Sequence, residues 1–155
     1  MTDPMDEQLT PAPLRKVPSR MLSLVATHAD RLVTEGLAGA DARKWHYAAL
    51  MALRASGPVS QAELSRITGI YRSDLVAVIN ELTERGHVER APDPADRRRN
   101  VITITEQGRR HLERLQRLMA ELQDDFLAPL SGPEREQFTD FLARLLAHHS
   151  RRRGA

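Results

Sequence analysis

SQAELSRITGIYRSDLVAVINELTERGHVERAPDPADRRRNVITIT, residues 60–105, is the stretch that decides how this chain folds. Ser60-Gln61-Ala62-Glu63 has the form of a capping box, in which a serine oxygen and a glutamate side chain satisfy two orphan amides at a helix start. It predicts a short helix carrying Leu64 and Ile67, closed by a tight turn at Thr68-Gly69-Ile70. Leu75, Val78, Ile79 and Leu82 then recur at helical spacing and predict a second helix over 71–85 with one inward stripe. Gly86 stands where a helix ends in a left-handed residue. The period next changes to that of strands, over 87–90 and over the β-branched run 101–104. Between them, residues 91–100 form a loop with two prolines followed by Arg97, Arg98 and Arg99. Strands this short must rest on helices. A short helix, a glycine turn, a longer helix and an arginine-tipped hairpin make a winged helix-turn-helix pattern.

The flanks extend it. Val17, Met21, Leu24, Val25, Leu32 and Val33 predict a helix from about Leu14 to Leu37, punctuated by Gly36 and Gly39. Asp41 is a fair N-cap for a helix through about Ala55, stopped by Gly57-Pro58. Thr105 caps a long helix with Leu112, Leu115, Leu118, Met119, Leu122 and Phe126 on its apolar side. Ser131-Gly132-Pro133-Glu134 is a second capping box, opening a last helix expected to bury Phe138, Phe141, Leu142, Leu145 and Leu146. The expected class is mainly α (α+β): a winged helix-turn-helix with long N- and C-terminal dimerisation helices. Its parts are a flexible tail (1–13), a dimerisation helix (14–40), the winged helix-turn-helix (41–105), dimerisation helices (106–150) and a flexible tail (151–155). The apolar sides of the terminal helices exceed what a small lobe can cover, which predicts a two-fold homodimer.

Composition agrees. With 41% hydrophobic residues in 155, the chain can bury a core, and an aromatic share of only 4% favours helices packed on helices. The absence of cysteine excludes disulfides, thiolate metal sites and cysteine nucleophiles. Met1 to Pro18 lacks an apolar signal core, and no run approaches the roughly 18 apolar residues of a membrane span, so a cytoplasmic location and no membrane partner are expected. The net charge of +2 is unevenly placed. Residues 85–117 hold nine arginines against five acids, whereas 1–84 hold nine basic residues against ten acids and 118–155 five against six. A basic middle between near-neutral flanks is the footprint of an anion-binding surface. No phosphate-cradling glycine loop or nucleophile elbow is present, and His28, His46, His87, His111, His148 and His149 show no His-x-x-x-His spacing. An enzyme, a cofactor and a metal site are therefore not expected.

Opposite the apolar stripe of the second helix lie Arg72, Ser73, Val76, Ala77 and Asn80. On a helix in the major groove, Arg72 could bond guanine bidentately, Ser73 a base or phosphate, and Val76 a thymine methyl. The hairpin could reach the minor groove, where an arginine meets the strongest negative potential. Double-stranded DNA is the partner this face suits, and in a dimer its operator should be an inverted repeat with half-sites about 34–36 Å apart. The alternative is a winged helix serving as a protein-protein interaction module, against which the arginine tip argues.

From about Ser60 to Thr105 the chain resembles the MarR-type regulators. The resemblance is carried by Gln61-Ala62-Glu63-Leu64, Gly69-Ile70, Leu82, Gly86, Val88, Arg90, Asp96-Arg97-Arg98-Arg99, Val101 and Ile104-Thr105, and the flanking helices match the same layout. It implies a homodimer with interlocked terminal helices, and a repressor released by a small ligand. It places Arg98 in the minor groove, with Arg97 and Arg99 sharing that role or touching phosphate. Asp96 is then the residue that pairs with a neighbouring arginine and fixes the wing. Tyr71, where a capping serine is common, and Ala77, where a polar residue is common, depart from the pattern. The resemblance also implies a crevice for an aromatic or anionic effector, for which Arg20, His28, Trp45 and His46 are the candidates. Redox sensing by cysteine, used elsewhere in that family, is excluded.

Overall fold

The computed structural model describes residues 9–154. Its elements run α1 (Ala12–Arg15), α2 (Pro18–Ala38), α3 (Lys44–Ser56), α4 (Gln61–Thr68), α5 (Arg72–Glu84), β1 (Val88–Pro92), β2 (Asn100–Ile104), α6 (Glu106–Phe126) and α7 (Gly132–Arg153). The expected tail over 1–13 falls largely outside the described residues, but Ala12–Arg15 already make a helical turn. The first long helix starts at Pro18 rather than near Leu14. Proline lacks the amide that an ongoing helix needs and holds Val17 extended, so the chain breaks there.

Gly36 does not end α2. A side chain there would overlap Leu122, so this glycine lets α2 and α6 approach closely. Asp41 is not the cap of α3. It sits at φ 54° in the connection, and Arg43 takes the cap position, its amide donating to His46 Nδ1 at 3.2 Å. Asx side chains tolerate the left-handed region, which suits Asp41 to a turn. At α4 only the serine half of the box forms: Ser60 Oγ accepts from the Glu63 amide at 3.2 Å. The box at Ser131 and Glu134 closes both ways, at 2.8 and 3.3 Å.

One core joins the elements. Leu75, Val78, Ile79 and Leu82 of α5 are fully buried with Leu50, Leu53, Leu64, Leu112 and Leu115. The Gly86 turn ends α5 in a Schellman motif, with His87 N–H bonded to Leu82 O and Gly86 N–H to Thr83 O. β1 and β2 pair antiparallel with Val88 opposite Ile104 and Pro92 opposite Asn100. Ile102 also exchanges both backbone bonds with Val59, at 2.8 and 3.2 Å, which fastens the hairpin to the entrance of α4. That third strand contact has no sequence signal, being one residue long.

The termini depart from expectation. α7 runs to Arg153 instead of fraying from Arg151, and its last turn carries Arg151, Arg152 and Arg153, cations favoured at a helix C-terminus. Within one chain α7 buries no residue: Phe141, Leu145 and Leu146 are half or more exposed. Met21, Leu22 and Val25 of α2 are exposed likewise. Among the described residues no helix is long and apolar enough to cross a membrane.

Candidate nucleic-acid interface

The reading surface is built on α5. With Leu75, Val78, Ile79 and Leu82 pinned inside, 3.6-residue periodicity sends Arg72, Ser73, Val76, Ala77 and Asn80 outward, and all five are exposed. Tyr71 is the N-cap residue of α5 but makes no side-chain cap, so its ring stands 80% exposed beside Arg72 and Ser73. Asp74 in the first turn complements the helix dipole without capping it.

The wing is shorter than the sequence suggests. Ala91, Pro92 and Asn100 join the ladder, and the loop proper is 93–99. Proline is tolerated at Pro92 because β1 is an edge strand, paired on one side only, to β2. Inside the loop the backbone bonds to itself: Asp93 N–H to Arg99 O at 2.7 Å, Arg99 N–H to Asp96 O at 3.0 Å, and Asp96 N–H to Asp93 O at 3.2 Å. Asp93 Oδ1 accepts from the Ala95 amide at 2.9 Å. Asp96 Oδ1 accepts from both the Arg98 amide at 3.1 Å and Arg98 Nε at 3.2 Å. These Asx bonds set the tip, while the Arg98 side chain stays 91% exposed. Arg97 and Arg99 are exposed too. A hydrogen bond from Arg90 Nη2 to Asn80 Oδ1, 2.7 Å long, ties the wing's first strand to α5. Sequence reasoning missed this link, since ten residues and a turn separate the partners.

The far end of α5 is fastened elsewhere. His46, 1% exposed, accepts the Arg43 amide at Nδ1, so its proton sits on Nε2 and is donated to Glu81 Oε2 at 2.6 Å. Arg43 Nη2 reaches the same oxygen at 2.6 Å. Burial holds His46 below its ordinary pKa against the opposing Glu81 bond, and the His46 and Arg43 bonds hold Glu81 below the usual carboxylate range. Arg85 bonds Asp41 O and lies 3.5 Å from its carboxylate. Asp41, Arg43, His46, Glu81 and Arg85 line a cleft of about 340 Å³ closed by Ala38 and Ala42.

Of the four effector candidates only His46 lines this cleft. Trp45, its neighbour, is 42% exposed, and successive helical residues point about 100° apart. His28 and Arg20 lie on α2 ten and eighteen residues before Ala38, about 15 and 27 Å back along the axis. Lys44, the neighbour of Trp45, pairs with Asp30, two residues from His28, and so joins the start of α3 to α2 on that side.

A glycine-turned helix pair, an exposed second helix and a basic hairpin at its side define a winged helix-turn-helix protein. The chain belongs to the MarR family, whose model matches residues 40–99. A probable transcriptional regulator from Pseudomonas aeruginosa, known as a crystal structure, is 31% identical and superposes with a TM-score of 0.75 over 85% of this chain and 98% of that one. The candidate transcriptional regulatory protein for the hcr operon of Thauera aromatica is 33% identical over 104 residues, 67% of this chain. The HTH-type transcriptional repressor NicR of Pseudomonas putida is 29% identical over 100 residues, 64% of this chain. The matched stretch spans 63% of the length of each of these two curated relatives.

Proposed function

We propose that this protein is a cytoplasmic homodimer that binds double-stranded DNA at an inverted-repeat operator and regulates transcription, as a repressor released by a small aromatic or anionic effector. The observation that carries the reading is the exposed α5 face standing beside a wing whose tip arginine is set by Asp96. A helix fits the major groove, and an arginine on a narrow hairpin fits the minor groove. The family and the repressor among its relatives support it. The dimer has its support in the apolar residues that α2 and α7 leave uncovered in one chain. An anionic effector has two guanidinium groups to meet in the cleft, Arg43 and Arg85, and its arrival competes with Glu81 and Asp41 for them. That would loosen α5 from the α2–α3 connection.

Selection of bound fragments from random duplex DNA tests this, repeated with aromatic acids present. A two-fold symmetric consensus, lost as salt rises, is the expected result. Salt-insensitive association with another protein, and no enrichment of any duplex, would favour the interaction module instead.

A further inference from the structure

Asn80 belongs to the exposed face of α5, where a base contact is the natural assignment. Reading adenine bidentately takes both ends of the amide: the oxygen accepts from N6 and the nitrogen donates to N7. Here Oδ1 already accepts from Arg90 Nη2 at 2.7 Å. Arginine has only donors, so the atom facing it is fixed as the carbonyl oxygen. A bidentate adenine contact would have to displace Arg90 or share that oxygen with it.

Arg90 gains what Asn80 gives up. It lies opposite Ile102 in the hairpin and, among the described residues, pairs with no carboxylate. One of its five donors is spent on Asn80, and the rest of an exposed, uncompensated guanidinium faces outward at the seam between α5 and the wing. An arginine with no partner would sample many rotamers; this one is held at one place. With α5 docked in the major groove and the wing tip in the adjoining minor groove, that place would fall between them, where a sugar-phosphate strand passes.

Resting on the DNA-binding reading above, we propose that Arg90 contacts a backbone phosphate at this seam, and that Asn80 is its positioning residue and not a reader of bases. Phosphate contacts set register and carry no sequence information, so the pair would fix how α5 and the wing straddle one strand.

The test uses Arg90→Ala, Arg90→Lys, Asn80→Ala and the double alanine variant. Each is titrated with a random-sequence duplex pool over a salt series, then with selected sites in which every base pair is varied. Arg90→Ala should weaken the pool and the selected site alike, by roughly tenfold, and shallow the salt slope by about one. Arg90→Lys should keep the slope, because it keeps the charge. Asn80→Ala should lose less, leave base preference unaltered and add nothing in the Arg90→Ala background. A preference relaxed at one base pair per half-site by Asn80→Ala, or an unchanged slope in Arg90→Ala, overturns the proposal. Wild-type protein indifferent to the pool at low salt would overturn the DNA-binding reading together with it, and so marks that failure apart. Both side chains are exposed, and matching melting temperatures confirm that folding is unaffected.

Discussion

The imidazole rings of His87 and His111 stack with centroids 4.3 Å apart and planes 16° from parallel. They join the base of the wing to the first turns of α6, each less than a tenth exposed. His87 Nδ1 and His111 Nε2 have no hydrogen-bond partner among the described residues. Near-parallel rings confine their in-plane lone pairs to separate, nearly parallel planes, so the two do not both point at one metal ion. Among the described residues no group of three or more His, Asp or Glu is placed to hold one.

What the stack does control is acid stability. Burial, then the neighbouring His87 and Arg114, push His111 down to about 4, and burial with Arg85 lowers His87. From about pH 6.5 downward the unfolded chain takes up protons that the folded chain refuses, so stability falls with pH and levels off near 4. His111 alone contributes a loss of up to about 3 kcal/mol across that window. His111→Phe keeps a flat ring in the stack and removes the titration. Thermal melts between pH 7 and 4 should show a shallower decline for the variant. Identical slopes would mean that the pair carries no such linkage.

At the wing, Asp96 and Arg98 divide the labour: one shapes the tip and the other is offered from it. Arg98→Ala should weaken duplex binding broadly and shallow the salt slope by about one. Asp96→Ala leaves the charge of Arg98 but frees the loop, so affinity should fall severalfold while the slope holds. Fluorescence anisotropy over a salt series separates the two, and an unaffected Arg98→Ala would remove Arg98 from the interface.

Much of this was legible in the sequence because local rules and the fold agree. The stripe of α5 and the left-handed turn at Gly86 follow from residue spacing and from glycine chemistry. The Asp96-Arg98 pairing lies within one loop, and the resemblance already implied it. What escaped was carried by contacts between distant parts of the chain. Val59 joins the hairpin through backbone atoms any residue has. Arg90 and Asn80, or His87 and His111, meet only once the helices are packed. Asp41 suits a cap by residue type, but a left-handed turn favours the same type, and the chain uses it there. The apolar spacing of α7 predicts buried residues, yet within one chain the helix buries none, and Phe141, Leu145 and Leu146 stay half or more exposed.

Gly108, in the first turn of α6, bears directly on the His87 segment. A Cβ there would overlap the His87 carbonyl oxygen and crowd Ile104, while Thr105 Oγ1 binds both the Gly108 amide at 3.0 Å and Gly86 O at 2.6 Å. The obstacle is backbone and cannot rotate away. Gly108→Ala should cost about 2–4 kcal/mol by forcing α6 off the wing base, even though alanine is the better helix former. Chemical denaturation measures it; a neutral or stabilised variant would mean that α6 and the wing base can part without cost.

The exposed side of α7 gives the sharpest test of assembly. Leu145 is 50% and Leu146 69% exposed in one chain, on a helix that buries nothing of its own. Covering what each leaves open is worth about 1–2 kcal/mol, and aspartate in their place would instead have to be buried charged. Leu145→Asp combined with Leu146→Asp should therefore yield folded monomers in sedimentation, with the helical signal largely kept. Two half-sites would then bind independently, and operator affinity should fall on the order of a hundredfold or more as the effective concentration of the second reader is lost. If the variant still sediments as a dimer, the subunits meet through another face, and the spacing expected of the operator must be redrawn.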